Sequence, residues 1–490
     1  MKKLIATMAM TAILASLTSP VFAEDFVPEG VDSSKGLTAA VVKDLPNGPA
    51  GSLVRNTSRV DKAGNDYFCK STTTDGCDVS RSASLTIWQN LPVCSVSSVG
   101  SCVMDLKVYT AGEQPASARY VKNVAGDSFP GNDKIGLAAG STPSIWESQA
   151  ATISGGSQKF VVSSSIRWNY IAGKLTLQGF DAKVSAVQDV LDQNFLPWTI
   201  FIGQKNGKRI NGVKTANSYS PLDCAATEMG YCAKVIDFAD GTRVSLTLKL
   251  TKEVTGWLQG RLDKPLVSIT NLGNGFNKVE VDASPVKVPE LYAVVDDKSQ
   301  PRWLQEQLGR WSNSGGDGAA GKEWRAFSSN GYQSVRFTNA IVKIAGDRAS
   351  TVKSNWSVSS LRDVNTGNRC LDDSSRLIGL VTTNALAFDG GVPEFRNGFL
   401  SYQVAGAHYL PDGKTLSLGS YNLALRSETA RCLYGFTKAP ISGKVSVISA
   451  AGEKKFATTV VSEKDGWIKL AASGFTFSTT NIKVKLSQKR

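Results

Sequence analysis

The sequence predicts a mainly β protein, built as several antiparallel β-sandwich-like domains in tandem with few short helices. Three observations carry that expectation. Apolar and polar residues alternate strictly in the most readable segments, turn signals punctuate them, and eight cysteines fall at paired spacings. The chain has 490 residues, 41% of them hydrophobic and 45 of them glycine, which is a globular composition and not a disordered one.

The first element is "MKKLIATMAMTAILASLTSPVFA" (1–23), where Lys2 and Lys3 precede an apolar run from Leu4 to Leu17 and a small-residue exit at Val21 and Ala23. This reads as an export signal cut after Ala23. The run is too short to span a bilayer comfortably, and no later stretch approaches the roughly 18 to 20 apolar residues that spanning needs. No cysteine follows it to take a lipid, and the C-terminal "NIKVKLSQKR" is too polar for an anchor. The expected mature chain is therefore secreted or envelope-associated, extracytoplasmic, and without a transmembrane anchor. Cleavage lowers the formal charge from +13 to +11, because two lysines leave and no acidic residue does. A basic exported protein favours anionic partners such as cell-wall polymers or acidic glycans, and the charge also serves solubility. Lys and Arg are scattered, without the dense runs that point to nucleic acid.

Cys69 and Cys77, Cys94 and Cys102, and Cys224 and Cys232 repeat one interval of seven intervening residues. In an exported chain, disulfides are the default reading. That interval suits the two arms of a β-hairpin, since paired strands bring Cα atoms to about the 5.5 Å a disulfide wants. Cys370 and Cys432 would then close a long loop and join distant strands. A rival connectivity links Cys69 to Cys102 and Cys77 to Cys94. Zinc does not fit, because the spacing is not that of a zinc knuckle and no histidine lies nearby.

Strands follow from period-2 alternation. In "RVSLTLKL" (243–250) Val244, Leu246, Leu248 and Leu250 share one face; in "NIKVKL" Ile482, Val484 and Leu486 point inward while Lys483 and Lys485 point outward, a device that also protects sheet edges. "SLTIW" (84–88), "KVEVDA" (278–283) and "KVSVISA" (444–450) behave alike, and "PDG" (411–413), "ADG" (239–241) and "NTGN" (365–368) mark turns. Only "VSAVQDVLDQ" (184–193) and "PRWLQEQLGRW" (301–311) carry a helical pattern. The proline-spaced "SPVKVPELY" (284–292) reads as a linker, and "SNSGGDGAAGK" (312–322) as a flexible loop. The expected organisation is a disulfide-stapled β domain over 24–188, a second over 189–289, and a C-terminal β region over 290–490 of one or two modules.

The stretches "SETARCLYGFTKAPISGKVSVISAAGEKKFATTVVSEKDGWIKLAASGFTFS" (427–478) and "LIGLVTTNALAFDGGVPEFRNGFLSYQVAGAHYLPDGKTLSLGSYNL" (377–423) resemble the C-terminal region of a family of exported actinobacterial proteins of unknown function, and "VTGWLQGRLDKPLVSIT" (254–270) does so more loosely. Together they cover about a quarter of the chain. The resemblance implies an exported, β-rich surface protein and carries no activity, cofactor or site residue.

Candidate chemistry is sparse. The chain has one histidine, His408, which excludes mechanisms needing two imidazoles. "GDSFPG" (126–131) matches the start of a GDSL-type esterase motif, but Ala405 stands where that motif wants an aspartate before the histidine. A glycan-active hydrolase needs only two carboxyl groups roughly 5 to 10 Å apart, and Glu147 and Glu323 each adjoin a tryptophan. "RDVNTGNRCLDD" (362–373) gathers Asp363, Asn365, Asn368, Asp372 and Asp373, yet lacks the terminal glutamate of a calcium loop and reads as an Asx-rich turn. Phosphate loops and dinucleotide fingerprints are absent, so no cofactor is expected. The leading expectation is a non-catalytic binding, adhesion or structural role at the cell envelope; the alternative is a secreted hydrolase using a carboxylate pair.

Overall fold

In the computed structural model the described residues are 37–43, 51–60, 66–74, 76–81, 84–149, 158–191, 204–205, 208–209, 224–306, 321–325, 331–361, 364–388, 392–449, 458–477 and 480–488. The segment 1–23 and residue Asp363 lie outside them, as do residues 307–320. The architecture is mainly β, in one large branched sheet and two smaller sheets of four and five strands, besides a two-residue ladder.

The large sheet is organised around a long hairpin, Lys159–Ile171 and Lys174–Leu191, joined by Ala172 and Gly173, both at positive φ. Two successive left-handed residues give the twist that matches flanking strands, which is why glycine stands there. Strands Leu85–Asn90 and Leu53–Val60 extend the sheet on one side. On the other side Thr351–Ser360, Gly256–Arg261, Leu377–Thr383, Leu418–Arg426, Trp467–Thr476 and Thr458–Lys464 follow in order.

The four-stranded sheet runs Asp263–Gly273, Phe276–Ser284, Thr242–Thr251, Cys102–Thr110. Val244, Leu246, Leu248 and Leu250 face one core, as alternation predicts, together with Leu106, Val279 and Val281. The five-stranded sheet places Ala387–Phe388, Phe399–Ala405, Thr480–Gln488 and Ile441–Ser449 side by side, with Glu394–Arg396 added beside Phe399–Ala405.

The middle of the large sheet serves two cores at once. Leu258, Leu380 and Ala424 join the core under the four-stranded sheet, while Trp257, Val381 and Leu423, each a neighbour in sequence, join the core under the five-stranded sheet. Three β layers therefore stack here. Strand Leu377–Thr383 is buried at all seven positions in consequence.

Two helical expectations resolve differently. Residues 184–191 are the end of the long strand Lys174–Leu191 and not a helix; Val184 to Val187 are buried on both faces, which hides period 2 and leaves a spacing that mimics a helix. Residues 302–306 are helical. The 14-residue helix Gly331–Ile344 is not among the expected helices, yet Val335, Thr338, Ile341 and Val342 recur at helical spacing, and Val335, Phe337, Ile341 and Val342 bury with Leu291, Ala293 and Val295 in one core.

The expected linker at 284–292 is also strand. Val286–Asp296 pairs with Thr351–Ser360 as far as Glu290 and with Leu37–Lys43 from Leu291, so Pro289 falls next to the change of partner, where a missing donor is tolerated. The glycine-rich loop enters the description only at Gly321 and Lys322, which begin a strand parallel to Leu37–Lys43. Strand pairing crosses both expected domain boundaries: Cys102–Thr110 joins Thr242–Thr251, and Gly256–Arg261 joins Leu377–Thr383.

Four disulfides close: Cys69–Cys77, Cys94–Cys102, Cys224–Cys232 and Cys370–Cys432. Only the third spans a hairpin, turning at Met229 and Gly230. The first two staple irregular loops beside a strand end, and the fourth ties a turn to the helix Ser427–Tyr434 instead of joining two strands. No described helix is long and apolar enough to cross a membrane.

Candidate binding face

The outer face of the five-stranded sheet follows from simple alternation. Tyr402, Ile482 and Val447 lie in one row and point into the core, so the next row, Ser401, Lys483 and Ser446, points out. One row further along, Lys485 lies directly opposite Lys444. Phe399 closes that end of the face, with the Lys485 ammonium 5.5 Å from its ring centroid, and Arg396 pairs with Phe399 from the added strand. Gln403, Asn481 and Ser401 supply amide and hydroxyl groups between the cations. A shallow groove of about 340 Å³ runs over this surface, lined by Glu394, Arg396, Phe399, Ser401, Gln403 and Lys483.

Four cations thus share a face with one carboxylate, Glu394. Like charges directly across a strand pair repel, and the nearby ion pairs, Arg431–Glu463 and Arg376–Glu428, involve none of the four. A row of Lys, Arg, Ser, Asn and Gln on a flat β face offers hydrogen-bond donors and positive potential together. Such a surface suits phosphate or carboxylate groups repeated along a polymer. The two lysines expected to protect a sheet edge sit instead on Thr480–Gln488, an interior strand of its sheet.

The other candidates do not assemble into a catalytic site. Glu147 is ion-paired to Arg119, its register partner on the neighbouring strand, and Trp146 beside it is buried against Tyr120 with its indole N–H donated to Ser144. The buried Trp146 offers no stacking face for a sugar, and the aromatic exposed there is Tyr120. The backbone of Glu323 lies in Gly321–Arg325 and its side chain falls outside the description. Of the tryptophans whose side chains are described, Trp146, Trp168, Trp257, Trp356 and Trp467 are core residues, and Trp88 and Trp303 are half-buried.

His408 is held by its surroundings. Its backbone N–H donates to the Asp347 carboxylate at 2.9 Å, its Nδ1 lies 2.8 Å from the Phe477 carbonyl oxygen, and Tyr409 packs edge-on against the ring. Asp127 and Ser128 sit on a turn fastened instead to Ser52, whose N–H donates to the Asp127 carbonyl at 2.8 Å. Burial pushes the Asp127 carboxyl up, against the pull of Lys70. No hydrogen bond links this turn to His408 among the described residues.

The acidic turn is satisfied internally. Asp372 accepts from the Thr366 N–H and hydroxyl, Asn368 from the Cys370 N–H, and Asp373 from Ser375, which together with Arg376 holds the Asp373 carboxyl below its ordinary value. These are Asx turns. Among the described residues, no cluster of His, Cys, Asp and Glu has the makings of a metal site.

No protein-family model, curated protein or solved structure matches this chain.

Proposed function

We propose that the protein acts outside the cytoplasm as a non-catalytic binding or adhesion protein of the cell envelope, and that the outer face of its five-stranded sheet engages an anionic polymer. The observation that carries this reading is the Lys444–Lys485 pair, two cations set opposite one another with Lys483 and Arg396 on the same face. A repulsive pair across the terminal strand and its neighbour is a cost that a bound anion removes. The disulfides, the export signal and the resemblance to exported surface proteins support the location.

The test is binding of the oxidised chain to immobilised anionic wall polymer and to a neutral glycan across a salt series. Saturable binding to the anionic polymer, weakening as salt rises, is expected. Lys444→Gln/Lys485→Gln lowers that affinity about tenfold, equivalent to about 1.4 kcal/mol. Equal binding to both materials, or affinity untouched by the double substitution, overturns the assignment.

A further inference from the structure

A second surface stands out on the opposite side of the stacked layers. Strand Asp263–Gly273 is the terminal strand of the four-stranded sheet and pairs only with Phe276–Ser284 among the described residues. Its start is tied down, since the Lys264 N–H donates to Asn422 Oδ1 and the Lys264 carbonyl accepts from Arg243. From Leu266 onward the outer edge is open. Val267 is buried in the core and Ile269 packs against it, whereas Ser268 and Thr270 are exposed and Leu266 and Leu272 are 48% and 44% exposed.

Open edges in stable proteins are ordinarily blunted by charge, proline or cover. The opposite edge of this same sheet obeys that rule. Strand Cys102–Thr110 carries Asp105 and Lys107, and Ser117 folds over it, bridging Lys107 and donating a hydroxyl to Asp105. The terminal strands Ile441–Ser449 and Thr458–Lys464 carry Lys444, and Glu463 with Lys464. Between Leu266 and Gly273, by contrast, stand eight residues, "LVSITNLG", without a charge or a proline.

That stretch is also complementary to itself. In an antiparallel pairing about a twofold axis through Ile269, Leu266 of one copy meets Leu272 of the other, and Ser268 meets Thr270, each pair occurring twice. Leu266, Ser268 and Thr270 lie on the outer face of the sheet, so both hydroxyl pairs form on one side, and Leu272 is exposed at the bulge that follows. The register with Phe276–Ser284 is regular from Leu266 to Asn271, leaving that stretch of the edge extended between a shift before Leu266 and one at Leu272. A twofold axis makes the interface closed, so it yields a dimer and not a fibre.

We propose that this edge is a self-association site, at which a second copy of the chain adds its own Asp263–Gly273 strand and continues the four-stranded sheet into one of eight. Backbone hydrogen bonds supply the attraction, the Ser268–Thr270 pairs set the register, and the exposed Leu266 and Leu272 add apolar area at either end. The site lies on a different sheet from the basic face, so dimerisation leaves that face open and presents two copies of it.

Sedimentation of the oxidised full chain over a concentration series tests the proposal. A reversible monomer–dimer equilibrium is expected, with the amides of 266–272 gaining hydrogen-exchange protection as the dimer fills. Ser268→Lys/Thr270→Lys sets lysines face to face across the axis and weakens the dimer at least about tenfold. Ser268→Glu/Thr270→Glu does the same alone, and mixing the two variants restores a heterodimer. All these residues are exposed, and a thermal unfolding profile establishes that each variant is folded; Leu266→Ser/Leu272→Ser provides an uncharged variant with the same expected loss. A chain that stays monomeric at every attainable concentration overturns the proposal. A dimer indifferent to both charge variants overturns it equally.

Discussion

Removing the Cys370–Cys432 disulfide is expected to cost more than removing any of the other three. Its partners are separated by 62 positions, against 8 for each of the local rings. By the loop-entropy relation, a ring of that size restrains the unfolded chain by about 4 kcal/mol, and a ring of the smaller size by about 2.5 kcal/mol. The bond sits at the surface, with Cys432 exposed and Cys370 half-buried, so serine in both places opens little cavity. What it fastens matters to the core below. The helix Ser427–Tyr434 buries Ala430 in the C-terminal core, and the turn it is tied to offers the Leu371 carbonyl to the fully buried Trp257 indole at 2.9 Å. Cys370→Ser/Cys432→Ser and Cys224→Ser/Cys232→Ser are therefore compared by denaturant titration, following tryptophan fluorescence. Because a chain of this size need not unfold in one step, the comparison uses the transition in which the C-terminal core opens. The long-loop variant should lose about 4 kcal/mol there. A loss under about 1 kcal/mol, or one no larger than the hairpin variant shows, refutes the reasoning.

Three further outcomes follow from the cores and the titrating groups. Gly379→Ala would set a Cβ 2.2 Å from the fully buried Trp257 ring, and should lower stability by about 1 to 3 kcal/mol; an unchanged melting temperature contradicts the packing. Arg261 is fully buried over the Phe388 ring and donates to the carbonyls of Thr383, Ala385 and Leu386, so Arg261→Met strands those acceptors and should cost about 3 kcal/mol or more by denaturant titration. Burial pushes the Glu463 carboxyl up, but hydrogen bonds from Arg431 and the Ile441 N–H outweigh it and hold the group below its ordinary 4.5. A depressed carboxylate stabilises the fold above that ordinary value and loses the contribution as pH falls through it. Melting temperature against pH should therefore drop more steeply below about pH 4.5 in the parent than in Glu463→Gln, and parallel curves would contradict the assignment.

Legibility in the sequence tracked how many faces of a strand are apolar. Strand Thr242–Thr251 was readable because Ser245, Thr247 and Lys249 are polar, although Ser245 and Thr247 are themselves buried, and "NIKVKL" because Lys483 and Lys485 leave its outer face charged. Where a strand serves two cores the alternation vanishes. "LIGLVTT" is apolar or small throughout, and "VSAV" at 184–187 imitates a helix because neither of its faces meets water. The cysteine intervals disclosed the rings but not their surroundings, since irregular loops at Cys69–Cys77 and Cys94–Cys102 bring the sulfurs together as well as a hairpin does. The basic face was half visible: the outward direction of Lys483 and Lys485 is local, but the juxtaposition of Lys444 with Lys485 is a matter of register between strands far apart in the chain. The open edge at Leu266 was not visible at all, because an edge is defined by the absence of a neighbour.

The three-layer stacking also narrows where this protein can meet anything else. A central sheet packed on both faces has no surface to offer, so Trp257, Trp356 and the other large side chains of its strands are committed to packing. The outer faces of the two smaller sheets and their edges, by contrast, are open among the described residues. Those two regions have opposite chemistry: the five-stranded sheet presents Arg396, Lys444, Lys483 and Lys485, and the four-stranded sheet presents an uncharged backbone edge flanked by Leu266 and Leu272. Contact with a repeating anionic chain gains from pairing two such bodies, because the second basic face then binds at the effective concentration set by the first. Weak single-site binding and a modest dimer therefore reinforce one another, and Ser268→Lys/Thr270→Lys should weaken polymer binding most when the polymer is long enough to reach both faces.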